Sequence, residues 1–157
     1  MDKVTLNIDE KKKEITELLE KSKHIVLATC ADSRVTVRSM CHVNIGLNIF
    51  FQTDSRFLKI DQIRKNPQVA FCLGSLQIEG TAELLGHPSE VTNAKFSEHF
   101  KHKHPRAYEM YAHTKNQIVV KVSPTLFTQW KYIDDKPCRE FLDLYQNTAY
   151  REYYNVV

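Results

Sequence analysis

The sequence predicts a mainly β, α+β fold: an antiparallel barrel of six or seven short strands with flanking helices. Three observations predict it. Short apolar or alternating runs recur with turn residues between them, helical patterns appear only as inserts, and a chain of consecutive short strands hides its edges most simply by closing on itself.

With 157 residues the chain has the size of one domain, expected to span 1–157, and can bury one core. Hydrophobic residues at 42% and charged residues at 26% exclude a disordered or fibrous class. A net charge of +3 against 19 acidic residues is too mild to imply nucleic acid, whereas a small anionic ligand fits it. No apolar run reaches the length of a membrane span, and the charged N-terminus does not read as a signal peptide. Cys30, Cys41, Cys72 and Cys138 form no C-x-x-C pair, and the first three lie in strand-like runs as small core residues. Reduced thiols point to a cytoplasmic setting.

Taken in order, residues 9–23 place Ile15, Leu18 and Leu19 on one helical face and alternate Lys with Glu elsewhere, as in a surface helix serving as lid or strut. Residues 24–31 (HIVLATCA) read as a buried strand, and Asp32-Ser33 as a turn. From Arg34 to Val43 the two-residue period puts Val35, Val37, Ser39, Cys41 and Val43 on one face, largely apolar. Arg34, Thr36, Arg38, Met40 and His42 share the other. Asn44 to Gly46 supplies a turn, and Leu47–Gln52 is expected to return as the antiparallel partner of that strand. A helix follows from Phe57 to Asn66, ended by Pro67 and capped by Thr53, Asp54 or Ser55.

Residues 68–74 and 76–85 are two more strands, with Gly80 marking a bulge or bend. Residues 88–113 fit one or two helices interrupted near Pro105. Residues 116–122 and 126–133 are strands divided by Ser123-Pro124. The tail from about 137 to 157 is expected to begin as a helix with Phe141, Leu142 and Tyr145 inward.

The stretch from Arg34 to Pro67 carries the candidate chemistry. A helix start offers unpaired N–H groups and a positive dipole end. Hydroxyls from Thr53 and Ser55, with charges from Arg38, Arg56 and Lys59, make an anion cradle suited to phosphate. A capped surface helix with solvated basic residues fits the same spacing, and both readings stand on the residues alone.

The hairpin RVTVRSMCHV...LNIFFQT, the block DSRFLKIDQIRKNPQVAF, the strand LQIEGTAELL and the late SPTLFTQW together resemble the pyridoxamine 5'-phosphate oxidase-like family of FMN-binding split barrels over about residues 22–133. The resemblance implies a split barrel, a homodimer and FMN at the subunit interface. It assigns the phosphate to Arg38, Ser55 and Lys59, the flavin edge to Met40 and Cys41, the exit of the strand to Thr53, and an aromatic reaching the flavin from the partner chain to Trp130. Lys131 to Asp135 follow Trp130 where the true oxidase has an Arg-x-His stretch, so the resemblance implies another member: an FMN-dependent reductase of a small molecule, with a nicotinamide or deazaflavin as electron donor. No catalytic residue is assigned. His42 and Tyr132 are the polar candidates near the ring, although an isolated polar residue of this kind is more often structural.

A second reading is a non-enzymatic binding module on the same barrel, for haem or flavin, with His99, His102, His104 and His113 as the histidine-rich segment; lysines among them oppose a cation. The lysines 11–13 are interleaved with Glu10 and Glu14, a solvated helix face rather than a phosphate track.

Overall fold

The structure is a computed structural model and describes residues 2–155. In chain order the elements are β1 (Lys3–Thr5), α1 (Ile8–Lys21), β2 (His24–Ala31), β3 (Arg34–Cys41), β4 (Val43–Ile45), β5 (Asn48–Asp54), α2 (Leu58–Lys65), β6 (Gln68–Leu73) and β7 (Leu76–Leu84). A short 3₁₀ turn (Val91–Asn93), α3 (Ala94–Lys103), α4 (Pro105–Tyr111), β8 (Gln117–Ile133), β9 (Lys136–Asp143) and β10 (Thr148–Tyr153) complete it. The strands form one antiparallel sheet in the order β1-β10-β9-β8-β7-β6-β2-β3, and β5 joins it by pairing with the first half of β8.

The seven strands from β2 to β8 are the barrel expected from the sequence. It is a split barrel: β3 and β5 come close but do not pair, so the wall is open between them. Inside lie Ile25, Leu27, Phe51, Phe71, Ile78, Val120 and Phe127, all at most 2% exposed. A second cluster, Val43, Phe50, Phe96, Phe100 and Val119, fastens α3 to the outside of β4, β5 and β8.

Turn chemistry sets the register. Asp32-Ser33 and Asp134-Asp135 both take positive φ at two successive residues, as tight two-residue hairpins require. Gly80 faces β8 so closely that a Cβ would lie 2.8 Å from the Ser123 carbonyl oxygen, and the register shifts there, as expected of a bulge glycine. Ser123-Pro124 does not divide two strands, contrary to the sequence reading. β8 runs through because residues 117–122 pair with β5 and 126–133 with β9, leaving proline where neither partner needs its missing N–H.

Three further expectations are corrected. The strand from Arg34 to Val43 breaks at His42 and does not pair with the strand that follows: β3 pairs with β2, and the hairpin is β4 with β5, turned at Gly46 (φ +61°). The apolar face of β3 is not the core face, since Val35 is 69% and Val37 65% exposed, while Thr36, Arg38 and Met40 turn inward. The tail is not helical, because Cys138, Glu140 and Leu142 alternate inward along β9; its last two residues lie outside those described. Cys138 is the buried cysteine, whereas Cys72 is exposed and Cys30 and Cys41 are half-buried.

Helix α1 starts where the Asn7 side chain accepts the Glu10 N–H (3.0 Å) and buries Ile15 and Leu19 against the sheet. It also carries Lys11, 4% exposed, whose Nζ donates to Glu140 Oε1 at 2.9 Å. Lys131 (2.8 Å) and Arg151 (2.7 Å) complete the shell of Glu140, and Glu14 takes bonds from both lysines. Burial raises the Glu140 carboxyl, but its bonds to Lys131, Lys11 and Arg151 prevail and hold it at about 2. This ionic knot ties α1 to β8, β9 and β10.

Candidate functional site

The site sits at the split. Strand β3 is an edge of the sheet, so its outer row of backbone N–H and C=O groups has no strand partner. A cavity of about 420 Å³ opens beside it, lined by Met40 and Cys41 of β3, Thr53 of β5, Phe57 before α2, and Phe100 and Tyr111 from the helical insert. A volume in this range suits a small-molecule ligand. A larger hollow of about 560 Å³ lies beside α3 and α4, with Lys101 among its lining residues together with Glu90 and Glu98, and brings together no cation pair.

At the split two cations meet. Arg38 leaves β3 inward and donates from Nη1 to Thr29 Oγ1 (2.8 Å) and from Nη2 to Thr36 Oγ1. Both hydroxyls pass their protons to Gln62 Oε1 of α2 (2.6 and 2.7 Å), whose Nε2 donates to the Arg34 carbonyl (3.0 Å). That chain fixes the guanidinium and leaves donors to spare, since Arg carries five N–H groups. Lys59, on the first turn of α2, donates to Thr53 Oγ1 at 3.1 Å. Burial depresses the Arg38 guanidinium; burial first and the Arg38 charge second depress the Lys59 ammonium, against a weaker pull from the Asp54 carboxylate. Neither cation forms an ion pair among the described residues.

Arg56, part of the cradle expected from sequence, is not in it. Its side chain turns back on Asp54 (2.7 and 2.9 Å), and the pair holds the Asp54 carboxyl at about 2. The expected caps are corrected too: Phe57 occupies the N-cap of α2 with no side-chain bond, because the Asp54 carboxylate accepts the Arg56 N–H instead and closes its own turn. The start of α2, beside Lys59, therefore has no side-chain cap, and Asp61 is the acid of its first turn. Ser55 is half-buried in that turn, its N–H donating to the Asn116 carbonyl (2.8 Å).

Of the seven residues singled out, Met40, Cys41 and Thr53 line the cavity, Lys59 bonds to Thr53, Arg38 lies close enough to act on the Lys59 charge, and Ser55 sits in the turn before α2. Burial raises the Cys41 thiol, against the pull of Lys103, so it stays a neutral wall. Trp130 is elsewhere: it lies thirteen residues along β8 from the cavity residue Gln117, on the order of 40 Å of strand, and packs with Tyr132 and Tyr154.

His42 is fully buried. Its Nε2 meets the Leu19 carbonyl (3.1 Å), its Nδ1 has no partner, and burial with the adjacent Lys103 charge lowers its pKa to about 4. It is a pivot where the chain leaves β3, not a group at the cavity. The histidine-rich segment also disperses: His104 is buried with Nε2 on the His42 carbonyl (2.7 Å), while His99 and His102 point from α3 to solvent. Sequence reasoning missed Thr29, Thr36 and Gln62. The two threonines sit directly opposite each other in β2 and β3, a signal readable once that pairing is known; nothing in the sequence marks Gln62.

Fold and site define a split-barrel protein with a cavity at the split and, joined to its wall through Thr53, two cations that form no ion pair among the described residues. The chain belongs to the pyridoxamine 5'-phosphate oxidase family, whose model matches residues 12–131. No curated protein matches. Among solved structures it resembles a pyridoxamine 5'-phosphate oxidase-related, FMN binding protein from Nostoc punctiforme (TM-score 0.63, 15% identity, covering 98% of this chain and 100% of that one). It also resembles General Stress Protein 26 from Bacillus anthracis (0.66, 22%, 86% and 99%) and the haem storage protein HutZ from Vibrio cholerae (0.62, 14%, 76% and 91%). No helix of the described residues is long and apolar enough to cross a membrane.

Proposed function

We propose that this protein is an FMN-binding flavoprotein, an oxidoreductase of a small molecule, and not the pyridoxamine phosphate oxidase itself. The observation that carries the reading is the Arg38 and Lys59 pair: two partly buried cations, close enough for one to depress the other, neither in an ion pair, with the neighbouring Asp54 carboxylate engaged by Arg56. Such a pair raises the free energy of the empty site and is relieved by an anion. Guanidinium, ammonium, the hydroxyls of Thr53 and Ser55 and an uncapped helix start form the donor set a phosphate monoester takes.

Within this reading Arg38, Ser55 and Lys59 hold the FMN phosphate, Met40 and Cys41 flank the ring along the free edge of β3, and Thr53 orients Lys59. Bound FMN supplies hydride transfer at its ring, and the protein supplies binding, orientation and exclusion of water. Electrons come from a nicotinamide or a deazaflavin.

The reading includes a homodimer. Val26, Val35 and Val37 are exposed side by side on the outer face of β2 and β3, an apolar patch of the kind that marks an interaction surface. Trp130 is too far along β8 to serve the site of its own chain and is available to a partner's.

Absorbance of the purified protein tests the function. A two-banded flavin spectrum, with FMN released on denaturation, is expected. Colourless protein whose melting temperature does not move in excess FMN contradicts it. A Soret band on haem addition, without flavin, supports the binding-module alternative.

A further inference from the structure

The helical insert contributes a wall to the cavity that the phosphate cradle does not explain. Helix α4 has no buried residue of its own. It is held by what flanks it, His104 on the His42 carbonyl at one end and the buried Ala112 at the other. Ala107 and Tyr111, four residues apart and therefore on one helical face, both line the cavity.

Three aromatic side chains border that cavity, and they are not equivalent. Phe100 is 2% exposed and belongs to the cluster that fastens α3 to the barrel. Phe57 is exposed, but the Lys59 ammonium lies over its ring at 4.8 Å, so it serves the cationic end. Tyr111 is 49% exposed, stacks on no other ring among the described residues, and its hydroxyl makes no hydrogen bond there. Its backbone, in contrast, is pinned: the Tyr111 carbonyl accepts from Thr114 N (3.1 Å) and Thr114 Oγ1 (2.9 Å).

A large ring held on a fixed backbone, half in water, and facing a cavity whose only charged lining groups, Asp54 and Arg56, neutralise each other, is poised to bury its face against a flat uncharged group. We infer that Tyr111 is the protein's ring contact for the bound flavin, covering it from the helical insert. The inference rests on the FMN reading. It adds that α4, a part of the chain outside the phosphate cradle, sets how the ring is covered.

Flavin emission reports ring contact directly, because an electron-rich phenol against the isoalloxazine quenches it. FMN is titrated into the wild type, Tyr111→Phe and Tyr111→Leu, following bound-flavin emission and Kd, with thermal melts to confirm folding. The wild type decides the FMN reading by itself: it binds or it does not. Given binding, the emission of FMN bound to Tyr111→Leu is expected to rise several-fold above wild type, with affinity about 2- to 10-fold weaker. Tyr111→Phe is expected to retain the affinity and lie between the two in emission. Wild-type emission and affinity in Tyr111→Leu overturn the inference and leave the phosphate cradle intact.

Discussion

The chain contains two sets of buried or half-buried cations, and they are built in opposite ways. Around Glu140, three cations converge on one carboxylate that is 3% exposed, and Glu14 balances the two lysines. Around the split, Arg38 and Lys59 approach each other among hydroxyls, an amide, the Phe57 ring and a helix start, and the one carboxylate that acts on Lys59, Asp54, is already engaged by Arg56. The first set is complete within the chain, and removing a member strands the others. The second has no carboxylate of its own. On the proposed function, cations of the same type serve stability in one place and ligand binding in the other, and a carboxylate committed to them decides which.

Glu140→Ala is expected to give the largest effect. It removes the buried carboxylate shared by Lys11, Lys131 and Arg151 and leaves Lys11, 4% exposed, only the half-exposed Glu14 as an acid partner, a loss of about 3–5 kcal/mol. In a chain of this size that lowers the melting temperature by roughly 6–20 °C. A cost within experimental error would erase the contrast.

The pH dependence of stability is expected to follow His42. Its folded pKa is about 4 against an ordinary 6.5, so between these values the unfolded chain takes up a proton the folded one refuses. Stability is therefore flat above about pH 7 and falls as pH drops from 6.5 to 4, by on the order of 3 kcal/mol. Glu140, held at about 2, adds a separate loss from 4.5 downward. Denaturant midpoints of wild type and His42→Gln separate the two, since the variant is expected to lose only the upper window.

Lys59→Met sharpens the comparison from the other side. Removing one of two uncompensated cations is expected to leave the ligand-free melting temperature unchanged or slightly raised, within about 1 kcal/mol. A loss as large as that of Glu140→Ala would make the pair structural. Smallest of all is Arg56→Ala, expected to leave the melting temperature at the wild-type value because its side chain is exposed, and to weaken FMN a few-fold at most by freeing Asp54 on the cavity wall.

Much of this was legible in the sequence, for physical reasons that differ by region. The barrel strands could be read because period-two burial and turn residues such as Asp32-Ser33 are local. The cradle residues Arg38, Thr53, Ser55 and Lys59 lie within 22 positions of one another and so travel together. What failed was pairing. Where β3 ends, and so which strand β5 pairs with, turns on His42, whose contacts with Leu19 and Lys103 are distant in sequence. The partner of Arg56 could not be read either, since an Asp two residues away competes locally with any ligand. The outward turn of Val35 and Val37 reverses the ordinary reading of an apolar face, because here that face is surface. Tyr111 has no signature beyond an aromatic in a helix.

The central claim is that the Arg38 and Lys59 pair waits for a phosphoryl group. Its most direct test compares FMN with riboflavin, which shares the ring and lacks the phosphate, by titration against wild type and the Arg38→Ala/Lys59→Met double variant. FMN is expected to bind the wild type about 100-fold or more tighter than riboflavin, from two charge-assisted contacts of roughly 1.5–3 kcal/mol each, and that preference is expected to vanish in the double variant. Equal affinity of the two flavins for the wild type, or a preference that survives loss of both cations, contradicts it.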